Sequence, residues 1–108
     1  MSQDDAPTTG QPWSSEEVRV VVDAYFWMLG EEIAGRSYVK THLYQRLHDE
    51  SLPNRSLKAI ERKCQNVSAV MESHNLPWVK GLAPLRNVQT DLTEAVEARL
   101  KQAGWIEA

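Results

Sequence analysis

Arg55-Ser56-Leu57-Lys58-Ala59-Ile60-Glu61-Arg62-Lys63-Cys64-Gln65-Asn66-Val67 is the stretch that predicts the fold most clearly. Its apolar residues recur every three or four positions, which is the spacing of a helix with one buried side. The helix is expected to begin near Ser56, just after Pro53-Asn54 breaks the chain. The stretch therefore predicts an amphipathic third helix from about residue 56 to about residue 73. Its buried side is expected to hold Leu57, Ile60, Cys64, Val67 and Met71.

A first helix is predicted upstream, where Trp13-Ser14-Ser15-Glu16-Glu17-Val18 has the spacing of a capping box. In this motif Ser14 and Glu17 bond each other's backbone, and Trp13 packs on Val18. Gly30 or Gly35 offers the stop. The side chains expected to face the core are Val18, Val21, Val22, Tyr25, Phe26 and Leu29.

Two shorter helices complete an all-α pattern. Ser37 is expected to cap a second helix that reaches about Asp49, and Thr90 or Asp91 to cap a last helix that stops at Gly104. Their expected inward residues are Val39, Leu43, Tyr44 and Leu47, followed by Leu92, Val96 and Leu100.

The length of 108 residues is enough for one compact domain. Residues 1–12 are polar and lack apolar periodicity, so we expect a flexible tail. Residues 13–108 are expected to form a single helical domain, with a three-helix core at 13–75, an ordered loop at 76–89 and a C-terminal helix at 90–103. In the loop, Trp78 is expected to cover the core rather than to serve as an exposed stacking residue. The predicted architecture is a three-helix, helix-turn-helix-like bundle with an ordered loop and a fourth helix.

The composition, 42% hydrophobic and 25% charged, is typical of a soluble globular chain. No apolar run approaches the roughly 18 to 20 residues that span a bilayer, and no secretory signal opens the chain, so a cytoplasmic location is expected. The net charge of −3 is unevenly distributed. Residues 1–35 carry −6, residues 36–63 carry +4, and the remainder carries −1. This segregation predicts a local positive surface on an acidic protein.

The third helix concentrates that positive charge on its polar side. On a wheel of about 100° per residue, Arg55, Lys58, Arg62 and Asn66 fall within a sector of roughly 80°, with Lys63 and Gln65 at its flanks. Arginine, lysine and asparagine donate to phosphates, and arginine and asparagine also pair with base edges.

No catalytic, metal or cofactor site is predicted. His42 and His48 are six residues apart, which places them on different faces of one helix. Cys64 lies in the apolar stripe and is expected to be a buried small hydrophobe. The expectation is therefore a non-enzymatic chain without a cofactor.

Two strings carry a recognisable motif: Trp13-Ser14-Ser15-Glu16-Glu17 and Arg55-Ser56-Leu57-Lys58-Ala59-Ile60-Glu61-Arg62-Lys63. In them the sequence resembles the Myb/SANT class, which has Trp-Ser/Thr-x-x-Glu and then Arg-Ser/Thr leading into a recognition helix. The resemblance implies a three-helix unit whose last helix enters the major groove. The class usually spaces three tryptophans through its core. Here only Trp13 and Trp27 lie in the first 75 residues, and tyrosines would have to take the remaining place.

A second likeness covers residues 13 to about 89. It rests on Tyr25-Phe26-Trp27-Met28-Leu29, Gly35, Tyr38-Val39-Lys40, Arg55-Ser56 and Ile60-Glu61-Arg62-Lys63-Cys64-Gln65-Asn66-Val67-Ser68-Ala69-Val70. These strings resemble a module at the N-terminus of bacterial HNH-type and related restriction-like endonucleases. The resemblance implies a DNA-engaging or specificity domain beside a nuclease. The sequence has no HNH arrangement of its histidines, so cleavage would need another domain or protein.

The sequence thus predicts a module that binds double-stranded DNA and possibly serves a nuclease or restriction system. Its expected contacts are Arg55, Lys58, Arg62, Lys63 and Asn66, with Lys40 and Arg36 as backbone clamps. The alternative is a protein-interaction or dimerisation module of the SANT-like type, which would use the acidic side of the first helix or the C-terminal helix. The overall acidic charge favours that alternative.

Overall fold

Four α-helices build the fold, which confirms the all-α prediction: α1 (Ser15–Ile33), α2 (Lys40–Glu50), α3 (Leu57–Ser73) and α4 (Thr90–Gln102). The structure is a computed structural model that describes residues 12–107. The tail expected at residues 1–12 therefore lies outside the described residues, apart from Pro12. Within residues 12–107, no helix is both long and apolar enough to cross a membrane.

The predicted capping box starts α1. The Ser14 backbone N–H donates to Glu17 Oε1 at 2.9 Å, and the Glu17 N–H donates to Ser14 Oγ at 3.1 Å. Gly30 lies inside the helix and does not end it. The helix runs on to Ile33, and Gly35 follows with a φ of +74°, a conformation that favours glycine.

The predicted start of α2 is wrong. Ser37 does not cap the helix, which begins three residues later with Val39 as an N-cap that makes no side-chain bond. Tyr38 explains the delay, because its hydroxyl donates to Glu32 and its ring packs edge-to-face on Trp27, which holds the chain extended beside α1. Val39, expected to face the core, is instead 51% exposed, whereas Leu43 and Tyr44 are buried as predicted.

The predicted cap of α4 is also wrong. The N-cap is Gln89, whose side-chain amide donates to the Trp13 carbonyl at 3.0 Å and so ties α4 to the start of the domain. The rest of the α4 prediction is confirmed, because Leu92, Val96 and Leu100 are fully buried. Gly104 follows the helix with a φ of +77°.

The second half of α3 is the centre of the molecule. Every residue from 66 to 71 is buried, because α1, α2, α4 and the 76–89 loop enclose this part of the helix. Ile60, Cys64, Val67 and Met71 are buried as predicted, but Leu57 is partly exposed at the free N-terminal end. A single buried stripe therefore describes only the first half of α3.

The 76–89 loop is anchored in the core around Val79 and Leu82. Val79 and Leu82 are fully buried, and the Val79 N–H donates to the Tyr25 hydroxyl at 2.9 Å. That hydroxyl also lies 2.8 Å from Ser68 Oγ, which joins α1, α3 and the loop at one buried point. Trp78, expected to cover the core, is an exposed residue of this loop.

Candidate nucleic-acid interface

The structure divides the seven predicted contact residues into three groups. Arg55 and Asn66 are buried, Lys58 and Arg62 are exposed on α3 with Lys63 half-buried beside them, and Arg36 and Lys40 lie in a different cleft. The candidate site is therefore smaller than the predicted one.

Arg55, one of the predicted DNA contacts, is buried and paired within the chain, so it is not part of the exposed candidate site. Its side chain is only 6% exposed, and its Nε and Nη2 donate to the Glu17 carboxylate at 3.1 and 3.0 Å. Nη2 also donates to the Pro12 carbonyl at 3.0 Å, and the guanidinium lies 4.6 Å from the centre of the Trp13 ring. Two charge-assisted bonds to one carboxylate fix both side chains. Arg55 thus ties the start of α3 to the start of α1.

Glu17 has two roles in this arrangement, as capping-box partner of Ser14 and as counter-ion of Arg55. Its bond to the Arg55 guanidinium is the main reason that the pKa of the Glu17 carboxyl is lowered, with the Ser14 backbone bond adding to it against the opposing effect of burial. The strings that begin at Trp13 and at Arg55 therefore meet in space through one ion pair.

Asn66 is the second predicted contact that is buried and so lies outside the exposed candidate site. Its Nδ2 donates to the Leu85 carbonyl at 2.6 Å, and the Leu85 N–H donates to the Gln65 carbonyl at 3.1 Å. The loop therefore crosses the polar side of α3 at this level and covers it. The helical wheel assigned Asn66 to the polar side of α3. No local sequence pattern indicates that a distant loop will pack over that side at this position.

Lys58 and Arg62 remain as an exposed pair one turn apart on the first half of α3. Lys58 Nζ is 3.9 Å from Glu61 Oε1 at a highly exposed position. Arg62 has no ion-pair or hydrogen-bond partner within residues 12–107. We name the solvent-facing side of residues 57–65, the first half of α3, the α3 face.

Lys63 lies at the flank of the α3 face and is half-buried. Its Nζ is 5.2 Å from the centre of the Trp13 ring and 3.3 Å from Gln89 Oε1. Burial and the neighbouring Arg55 charge lower the pKa of its ammonium group. No carboxylate of the described chain pairs with it, so Lys63 adds positive potential at the edge of the face.

Arg36 and Lys40, the predicted clamps, lie together elsewhere. They line a cleft of about 690 Å³ between the end of α1, the start of α2 and the Lys80-Gly81 segment, and no α3 residue lines this cleft. Arg36 is held in a two-point pair by Glu31, whereas Lys40 Nζ lies 5.4 Å from the centre of the Tyr38 ring. Lys80, which was not among the predicted DNA contacts, lines the same cleft.

The pairing of the twelve lysines and arginines is uneven. Six have an acidic partner within 4.0 Å: Arg19, Arg36, Arg55, Lys58, Arg86 and Arg99. The other six have none within residues 12–107, and five of these fall between residues 40 and 80: Lys40, Arg46, Arg62, Lys63 and Lys80. The cations without an acidic partner therefore concentrate in the middle part of the sequence, although they lie on more than one surface.

Two of the three histidines, His48 and His74, and Cys64 serve the packing of the helices. His48 Nδ1 lies 2.8 Å from the Arg55 carbonyl, and His74 Nε2 lies 2.9 Å from Glu97 Oε2 on α4. No group of histidine, cysteine or acidic side chains in the described part of the chain is arranged to hold a metal ion.

Cys64 gives a direct test of the buried side of α3. The side chain is fully buried, and burial raises the pKa of its thiol to about 12. Because thiols react as thiolates, we expect no labelling by Ellman's reagent in the native protein at neutral pH and one thiol per chain in denaturant. Rapid labelling without denaturant would contradict the placement of α3 in the core.

The fold and the site together define a small helical domain with one exposed cationic helix face. In comparisons with known proteins, no protein-family model, no curated protein and no solved structure matches this chain. Its function must therefore be inferred from geometry and charge.

Proposed function

We propose that this chain is a non-enzymatic DNA-binding module that places the α3 face on duplex DNA. The observation that carries the proposal is the exposed pair Lys58 and Arg62, one turn apart, with the Arg62 guanidinium unpartnered within residues 12–107. An α-helix with its side chains is about 10–12 Å in diameter, which fits the roughly 12 Å width of the major groove. In helix-turn-helix proteins, it is also the N-terminal part of the recognition helix that contacts bases.

The mechanism follows from the chemistry of the α3 face. Arg62 has the donor geometry for a phosphate or a guanine edge, and Lys58 supplies a point charge for a neighbouring phosphate. Lys63 adds to the local positive potential. The positive end of the α3 helix dipole lies at the first turn of the same segment and adds to it as well. The Arg55–Glu17 pair holds the start of α3 fixed on α1, so the helix is presented to DNA without a prior rearrangement.

The resemblance to a module of bacterial endonucleases adds a proposed role for the DNA binding. A bacterial, cytoplasmic module of this kind would target or orient a nuclease domain or partner, which would supply cleavage. The module itself would bind DNA and leave it intact.

The alternative, a protein-interaction role for the acidic side of α1, is less well supported. Each of the five acids in α1 already has a partner within the chain. Glu16, Glu17, Asp23 and Glu31 pair with arginines, and Glu32 accepts from the Tyr38 hydroxyl and from the Lys80 N–H. This side of α1 therefore offers a partner little uncompensated negative charge.

Fluorescence anisotropy with a labelled duplex tests the proposal. With two or three phosphate contacts, the logarithm of the binding constant should fall against the logarithm of salt with a slope of about −2 to −3. Lys58→Ala combined with Arg62→Ala should weaken binding by about tenfold or more and reduce the steepness of the slope by about 2.

The matched control removes two cations from outside the α3 face, with Arg19→Ala and Lys101→Ala on α1 and α4. It should bind like the wild type. Absence of binding at low salt, or equal losses in the two double variants, would refute the proposal.

A further inference from the structure

A small apolar groove lies where α2 begins beside α1. It has a volume of about 170 Å³ and is lined by Trp27, Tyr38, Val39, His42, Leu43 and Arg46. Trp27 is 46% exposed and Val39 51%, although the neighbouring residues Met28 and Leu43 are buried. The centroids of the Tyr38 and Trp27 rings are 5.6 Å apart in an edge-to-face contact, which holds both rings in place. We call this feature the α1–α2 groove.

Three cations lie at or near the α1–α2 groove, of which Arg46 lines it directly. Arg46 forms one side, and Lys40 Nζ lies 5.4 Å from the centre of the Tyr38 ring. Tyr38 also lines the 690 Å³ cleft, which brings Lys80 to the same surface. None of these three cations has an acidic partner within residues 12–107. Glu32, the acid that lines the cleft, is already bonded to the Tyr38 hydroxyl and the Lys80 N–H.

We propose that the α1–α2 groove binds an acidic peptide segment of a partner protein through one large apolar side chain. The groove has the size to take a single leucine, isoleucine or methionine side chain, and exposed Trp, Tyr and Arg are the residues that dominate protein interfaces. An apolar centre with a charged rim is the usual anatomy of such a site. The three unpaired cations select carboxylates on either side of the apolar anchor by charge complementarity.

The walls of the groove favour a peptide over a nucleic acid. Bases bind to open aromatic faces in succession. Here the Tyr38–Trp27 contact places one ring against the other, and aliphatic Val39 and Leu43 complete the wall. This shape accepts a branched side chain better than a flat base.

The groove and the α3 face are separate surfaces. His42 and Arg46 lie on the flank of α2 towards Trp27, whereas His48 contacts the Arg55 carbonyl at the start of α3. The proposal therefore goes beyond DNA binding, and either proposal can fail without the other.

The test selects short random peptides displayed on phage against the full chain, with Trp27→Ser and Arg46→Glu as parallel targets. Arg19→Glu, a charge reversal on an exposed part of α1, is the matched control. Selected peptides should carry at least two acids around one large apolar residue. A fluorescein-labelled copy of the best peptide should bind Trp27→Ser and Arg46→Glu about tenfold or more weakly than wild type or Arg19→Glu. Both altered side chains are exposed, and thermal melts verify folding.

Several results would overturn this proposal. Selected peptides without an excess of acidic residues, or equal binding of the peptide to all variants, would contradict the proposal that the groove binds an acidic peptide. If a labelled single-stranded oligonucleotide bound more strongly than the best peptide, and if Trp27→Ser abolished that binding, the groove would be assigned to nucleic acid. Self-association in sedimentation that Trp27→Ser abolishes would assign it to a second copy of the chain.

Discussion

Arg55→Ala is expected to lower the free energy of unfolding by about 3 kcal/mol, the largest loss of any substitution considered for this chain. The guanidinium is buried, and its removal leaves the mostly buried Glu17 carboxylate without a counter-ion. The Pro12 carbonyl loses a donor, and the Trp13 ring loses the cation that lies over it. Urea denaturation followed by circular dichroism measures the change.

The matched control is Arg36→Ala, which removes another two-point arginine–carboxylate pair. The Arg36 side chain is 66% exposed against 6% for Arg55, so solvent screens its pair with Glu31, and the loss of stability should be clearly smaller than for Arg55→Ala even though Glu31 is only 15% exposed. Arg55→Lys should recover part of the loss, because one ammonium keeps the charge but not the two-point geometry. Similar losses in Arg55→Ala and Arg36→Ala would contradict the burial of the Arg55–Glu17 pair.

The same pair predicts a pH dependence. Folding lowers the pKa of the Glu17 carboxyl from its ordinary value of 4.5, because Arg55 bonds to the charged form. The stabilisation is therefore fully present above pH 4.5 and is lost as the pH falls through the lower folded value. Arg55→Ala should flatten this acid loss, and an unchanged profile in the variant would argue against the pair as its source.

Tyr25→Phe is expected to lower the free energy of unfolding by about 2 kcal/mol. The ring remains, so the apolar packing of α1 is kept. The change removes the oxygen that accepts from the Val79 N–H and bonds Ser68, and both groups are left buried without that partner. Denaturation should show the loss, and hydrogen exchange at the Val79 amide should speed up more than exchange within α4, because the loop loses its anchor.

Tyr44→Phe is the control for Tyr25→Phe. The Tyr44 hydroxyl is buried on α2 with no hydrogen-bond partner within residues 12–107. Its removal relieves a buried polar group, so stability should stay the same or increase. If both tyrosine variants lost the same amount, the buried bonds of Tyr25 would not be what holds the loop.

Features that depend on neighbours in the sequence were predictable. The Ser14–Glu17 capping box, the start of α3 near Ser56 and the Gly104 turn after α4 all follow from short-range chemistry, and the structure confirms them. The inward residues of α4 follow equally well from their spacing, because one side of that helix meets the core along its length.

Features that depend on distant contacts were not predictable. Ser37 and Thr90 have the chemistry of caps, but Tyr38 holds the chain extended before α2, and Gln89 is drawn to Trp13. Arg55 and Asn66 belong by spacing to the polar side of α3. Each is buried by a partner remote in sequence, Glu17 for the first and the Leu85 carbonyl for the second.

The candidate site therefore reduces from seven predicted residues to an exposed pair with one flanking lysine. Charge segregation along the sequence indicated where cations without an acidic partner concentrate, since five of the six in the described chain lie between residues 40 and 80. The sequence could not divide these cations between the α3 face and the α1–α2 groove, because that division depends on the packing of α2.

Mapping the bound DNA by nuclear magnetic resonance tests the central claim most directly. An isotope-labelled full chain is titrated with a short duplex at low salt, and amide shifts are followed residue by residue. We predict that the largest changes fall on the α3 face, residues 57–65, and that Lys58→Ala with Arg62→Ala removes them while leaving the rest of the spectrum intact. Saturating DNA that leaves these amides unmoved, or that shifts chiefly the α1–α2 groove or α4, would contradict the account.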